Sequence, residues 1–190
     1  MSMKLMDDSV AVFIDASNVW QAQKAKGRMF DYEKLQKFLQ KKFAPKVVRI
    51  FYYTAYPREG TRDYSLQGKH NFYTYLKKRL DFIVRKKELK RIAIHTDEGD
   101  IIEEKGNMDV EMTIDAMHNR DTYGTVVFFT GDSDFLALVT YLRSRGKKAY
   151  VFSSKNNISY ELKTGCDGYE DVLEIEDDIW GRELQRRPRP

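Results

Sequence analysis

One cysteine, Cys166, stands in 190 residues, which excludes an intrachain disulfide and a cysteine-based zinc set. The three histidines, His70, His95 and His118, are scattered and flank no nucleophile, so they read as ordinary surface or helix residues. No apolar run approaches the roughly 18 residues of a membrane span, so no membrane partner is expected. The opening MSMKLMDDSV has no signal-peptide core and carries acids before the first apolar run, so the cytoplasm is the expected location. The net charge of +4 is too modest to name a partner by itself. There is no internal repeat and no interdomain linker.

What is present is a soluble composition, 42% hydrophobic and 33% charged, in a chain long enough for one sizeable α/β domain. The organising stretch is Val126 to Tyr141, VVFFTGDSDFLALVTY. Val126 to Phe129 read as a strand buried on both faces. Thr130 and Gly131 turn the chain, and Phe135, Leu138, Val139 and Leu142 recur at helical spacing. Asp132, Ser133 and Asp134 therefore sit between a strand end and a helix start, at the sheet edge where open α/β folds bind ligands. Two readings fit them: helix caps that also favour the dipole, or ligands for a hard divalent cation. One such motif cannot choose between them.

Along the chain, Ser9 to Ile14 is another doubly buried strand, ending at Asp15, Ala16, Ser17 and Asn18. A helix follows from Asp31 to about Phe43, stopped by Pro45, and then a strand from Val47 to Tyr53. The tyrosines from Tyr53 to Tyr56 fit either base stacking or a cap on the core. A helix from about Thr61 to Leu80 and a short strand near Phe82 to Arg85 come next, then a hairpin over 90–105. The helix opening at Asp109 is expected to turn Val110, Ile114 and Met117 to the sheet, with Asp115 on a different side. Lys148 to Phe152 is a strand, and Asp171 to Ile175 a candidate edge strand. Alternating strands and helices imply a three-layer α/β/α, Rossmann-like fold with a mostly parallel central sheet. One domain over 1–180, with its core at about 9–153, and a basic disordered tail over 181–190 are expected.

If the first and fourth strands are neighbours, Asp15, Asp109, Asp132 and Asp134 share a cleft, with carboxylates within about 10 Å. Such acids raise one another's pKa unless a cation compensates, and Mg2+ or Mn2+ would do so. A basic run, Lys77, Lys78, Arg79, Arg85, Lys86, Lys87, Lys90 and Arg91, fits either a phosphate-binding patch or a solvated face.

Three segments in order carry a family resemblance: Phe13-Ile14-Asp15-Ala16-Ser17-Asn18, Lys105-Gly106-Asn107-Met108-Asp109-Val110 with Asp115, and Thr130-Gly131-Asp132-Ser133-Asp134-Phe135. They resemble the NYN domain, of PIN-like nuclease fold, and its LabA-like branch, over roughly 9–153. Asn107-Met108 departs mildly from the small apolar residue common before the family's aspartate, and 90–104 is longer and more charged than a minimal domain needs. The resemblance implies a metal-dependent ribonuclease using Mg2+ or Mn2+. It implies that Asp15, Asp109, Asp132 and Asp134 hold metal and that Asn18 assists. Asp115, Ser133, Thr130 and Lys105 are supporting candidates, and Lys77, Lys78, Arg85, Lys86 and Lys87 candidate RNA contacts. The alternative is a catalytically weak RNA-binding or regulatory module of the same fold. A homo-oligomer is left open.

Overall fold

The computed structural model describes residues 8–96 and 99–185. Its elements run β1 (Ser9–Asp15), α1 (Ala16–Lys26), β2 (Arg28–Phe30), α2 (Tyr32–Phe43), β3 (Val47–Tyr56), α3 (Gln67–Arg79) and β4 (Ile83–Glu88). The hairpin β5 (Lys90–Thr96) and β6 (Gly99–Lys105) follows, then α4 (Asp109–His118), β7 (Thr125–Phe129) and a 3-10 turn at Ser133–Phe135. The chain continues through α5 (Leu136–Ser144), β8 (Lys148–Ser153), α6 (Tyr160–Gly165), β9 (Gly168–Asp171) and β10 (Trp180–Glu183).

Six strands form one sheet in the order β4-β3-β1-β7-β8-β9, every pair parallel. The chain builds outward from β1 in one direction through β3 and β4, then returns to build outward through β7, β8 and β9. The reversal falls between β1 and β7, where the loops leaving the two strands diverge and open a crevice at their C-terminal ends.

Strand alternation divides the core into two layers. Val10, Val12 and Ile14 of β1 pack with Val19 and Ala22 of α1, Leu35 and Leu39 of α2, and Tyr73 and Leu76 of α3. Ala11 and Phe13 pack on the other face with Met112 and Ala116 of α4, Leu138, Val139 and Leu142 of α5, and Leu162 of α6. The fold is thus three layers, α/β/α. No helix among the described residues is long and apolar enough to cross a membrane.

Three expectations need correcting. Val110, Ile114 and Met117 do not face the sheet: they are 65, 60 and 36% exposed, while Met112 and Ala116 are buried. The rotation follows from Asp115, which accepts a hydrogen bond from Tyr53 on β3 and so turns its own side of α4 to the sheet. Second, the expected tail starts too early. Trp180 is fully buried, meets Phe30 edge-on at 4.7 Å between ring centres, and donates its indole N–H to Ile175 O. So anchored, the chain runs on into β10, which pairs antiparallel with β2. The tail residues Arg186, Arg187 and Arg189 lie outside the described residues. Third, packing continues past residue 153, since β9 adds a parallel strand to β8 through Ser153 and Asp171.

Candidate active site

Asp15 is the last residue of β1 and the N-cap of α1. Its Oδ1 accepts from the backbone N–H and the hydroxyl of Ser17, both at 2.8 Å. Asp132 follows the neighbouring β7 and caps the 3-10 turn, accepting from the N–H of Asp134 at 3.0 Å. The two aspartates therefore cap two diverging helical segments on either side of the switch point. Asp109 opens α4, and Asn107 donates from its side-chain amide to Asp109 Oδ2 at 2.5 Å.

Electrostatics show that these acids share one environment. The Asp109 carboxyl is pushed above its ordinary value, first by burial and then by the charges of Asp15, Asp132 and Asp134, with Lys87 opposing. Burial also raises Asp15. The Ser17 and Asn18 hydrogen bonds oppose that shift, and the Asp132 charge adds to it. Asp109 and Asp15 thus each bear a neighbouring acid's charge.

Around the acids lies a tight frame. Asn18 is 8% exposed, and its Oδ1 accepts from the hydroxyl of Ser153, at the end of β8, at 3.0 Å. Gly131 has no room for a side chain: a Cβ there would lie 2.2 Å from Asn157 O and 2.7 Å from Ser153 Oγ. Thr130 is fully buried, and its hydroxyl accepts from the Asp132 N–H at 3.4 Å. Ser153 was not anticipated from sequence. The signal was there, a polar pair, Ser153 and Ser154, closing an apolar strand, but only the strand order makes β8 the neighbour of β7.

Other candidates are committed elsewhere. Asp115 Oδ2 accepts from Tyr53 Oη and Arg85 Nε, both at 2.9 Å, and Oδ1 accepts from Arg85 at 3.2 Å. It forms a bridge between α4, β3 and β4, so its role as a supporting acid and the role of Arg85 as an RNA contact both meet a structural competitor. Lys87 pairs with Glu111 at 2.8 Å, and that contact holds the Glu111 carboxyl below its usual value. Lys86 lies over the rings of Tyr56 and Tyr73 at 5.5 and 5.6 Å. Lys105 pairs with Glu103 at 3.1 Å, and Ser133 is exposed in the 3-10 turn. Lys77 and Lys78 sit in the last turn of α3, in the layer across the sheet from α4, so the basic run does not make one surface. Tyr53 is fully buried and serves the core, not a base.

The donor set suits a hard cation in type and charge: hard carboxylate oxygens, mutually destabilising, with one nearby ammonium. Among the described residues no three His, Cys, Asp or Glu side chains stand ready to share an ion as they lie. The cap bonds turn Asp15 and Asp132 toward their own helical segments. Mg2+ commonly retains several waters and takes only one or two carboxylates directly.

Comparison with known proteins agrees with this architecture. The NYN domain matches residues 9–174. Over 188 residues the chain is 29% identical to the Low amplitude and bright protein LabA of Synechococcus elongatus, covering 99% of this chain and 95% of that protein. The crystal structure of VPA0982 from Vibrio parahaemolyticus, a protein of unknown function, superposes with a TM-score of 0.66 at 23% identity, covering 92% of this chain and 96% of that one. That last likeness concerns the fold.

Proposed function

Because the chain belongs to the NYN domain family, we propose that it is a metal-dependent ribonuclease whose site is formed by Asp15, Asp109, Asp132 and Asp134. The observation that carries the reading is the raised pKa of Asp109, from burial first and then from the charges of the other three acids. Asp15 and Asp109, raised by burial and by neighbouring acids at a switch-point crevice, cost stability, and such a cost is usual at functional sites. Mg2+ or Mn2+, held by these acids directly or through water, would neutralise that charge and favour attack of water on a phosphodiester.

The chain's own groups supply the rest. Ser17 and the α1 backbone orient Asp15, and Asn107 orients Asp109. Asn18, tied to Ser153, keeps the β1 and β8 ends of the crevice together. Trp20, on the helix that Asp15 caps, is 43% exposed and offers a face on which an unpaired base can stack. Lys87, on the C-terminal half of β4 and close enough to act on Asp109, is the nearest candidate for phosphate.

The test is cleavage of a labelled single-stranded RNA with and without Mn2+, in wild type, Asp15→Asn and Asp132→Asn. Metal-dependent cleavage lost in both variants, with melting temperature retained, is expected. Tight RNA binding without metal-dependent cleavage in wild type would refute the ribonuclease and leave an RNA-binding module.

A further inference from the structure

Of the eleven large hydrophobic residues exposed among the described residues, six lie between Ile92 and Met117. They belong to two adjoining elements with no cover. α4 is apolar on both sides: Met112 and Ala116 face the sheet, while Val110, Ile114 and Met117 form a second stripe at i, i+4, i+7 spacing facing outward. The β5–β6 hairpin is a separate two-stranded sheet with most of its residues exposed. A hairpin of that kind is marginal in water unless something packs on it.

The register shows which hairpin face is available. Ile94 opposes Ile101 and Ile92 opposes Glu103, so Ile92, Ile94 and Ile101 share one face. The other face carries the Arg91–Glu104 pair, and Glu104 also binds Arg62, which ties that face back to the body. Edge-to-edge growth is disfavoured. Antiparallel self-pairing of β6 about Ile102 would set Asp100 against Glu104 of the second strand, like charges in direct opposition. Packing must be through the face.

We infer that this surface binds a second copy of the chain, the isoleucine face of each hairpin lying on the outer stripe of the other copy's α4. Three features favour a second copy. The hairpin's seven-residue strands reach about 20 Å and the ten-residue α4 about 15 Å, so each can span the other. The rim charges leave one complementary pair: Lys90 ends the isoleucine face and Asp121 follows α4, while Lys105 and Glu111 already pair with Glu103 and Lys87. The area is also sufficient. Ile92, Ile101, Val110, Ile114 and Met117 expose 42, 54, 65, 60 and 36% of their surface. That is roughly 450 Å2 of apolar surface per chain, about the apolar share of the ~800 Å2 each partner gives to a standard interface. Both halves occur in every chain, so a two-fold dimer contains the contact twice and closes on itself.

Sedimentation of the full chain at micromolar concentration is the test, with Ile114→Lys and Ile101→Lys as variants. Both positions are more than half exposed, so melting temperature and circular dichroism should match wild type. Wild type is expected at twice the chain mass, and each variant should raise the dimer Kd by at least about tenfold. Mixing the two variants should restore part of the dimer, because the mixed pair keeps one intact contact: the hairpin of the Ile114→Lys chain on the α4 of the Ile101→Lys chain. A monomeric wild type, or a dimer indifferent to both lysines, would overturn the inference. A mixture no more dimeric than either variant alone would also overturn it, since the reciprocal hairpin-on-helix arrangement requires rescue.

Discussion

Replacing Asp115 with alanine separates a structural acid from a catalytic one. Its side chain is 14% exposed and receives the Tyr53 hydroxyl and the Arg85 guanidinium together. Tyr53 is fully buried, so Asp115→Ala leaves its hydroxyl with its partner removed, at a cost of about 1–3 kcal/mol. The Arg85 pair adds little, about 0–1 kcal/mol, since Arg85 is half exposed and solvent screens it. A total near 2–3 kcal/mol is expected. For a domain of this size that lowers the melting temperature by about 4–12 °C. Adding Tyr53→Phe removes the orphaned hydroxyl, so the double variant should recover about 1 kcal/mol relative to Asp115→Ala alone, a coupling readable by urea denaturation. RNA cleavage below the new melting temperature should persist. An Asp115→Ala protein as stable as wild type but inactive would refute this assignment and return Asp115 to the acidic site.

Other outcomes follow from the same geometry. Asp132→Asn should leave the metal-free protein at least as stable as wild type, because Asn caps about as well as Asp. It should also shrink the rise in melting temperature on adding Mn2+, which stabilises by binding the folded state. Burial and like charge raise Asp15 above its usual 3.8, so the folded state holds that proton more tightly than the unfolded one. Its contribution is therefore most favourable below that value and is lost as pH rises through the raised one. Thermal melts without metal should accordingly show Asp15→Asn equal to or above wild type at neutral pH, with the gap narrowing in acid; a gap that widens in acid would contradict the sign. Lys87→Glu should lower the slope of log Kd against log salt for single-stranded RNA by about 0.7, while Lys78→Glu, in the α3 layer, should leave it unchanged. Trp20→Ala should weaken the same RNA by about 1–3 kcal/mol, measurable by the anisotropy of a fluorescently labelled RNA.

Much of this was legible in the residues because it depends on local chemistry. Continuous apolar runs ending in aspartate identify β1 and β7 with their acidic turns, since a strand buried on both faces cannot alternate. Asp31, with side-chain bonds to the N–H groups of Glu33 and Lys34, starts α2 as its type requires. What the sequence alone could not determine is direction around an axis and proximity across the sheet. Val110, Ile114 and Met117 have helical apolar spacing as sound as that of Met108, Met112 and Ala116. Periodicity identifies a stripe but cannot choose between two, and the choice falls to the Tyr53–Asp115 bond between β3 and α4. In the same way Lys77 and Lys87 are close in sequence, yet Lys77 ends α3 on one face of the sheet while Lys87, on β4, turns to Glu111 of α4 on the other. The proximity of Asp15 and Asp132 arises from strand order: β1 lies against β7 although more than a hundred residues separate them, and long-range pairing of that kind is decided by the packing of the whole core.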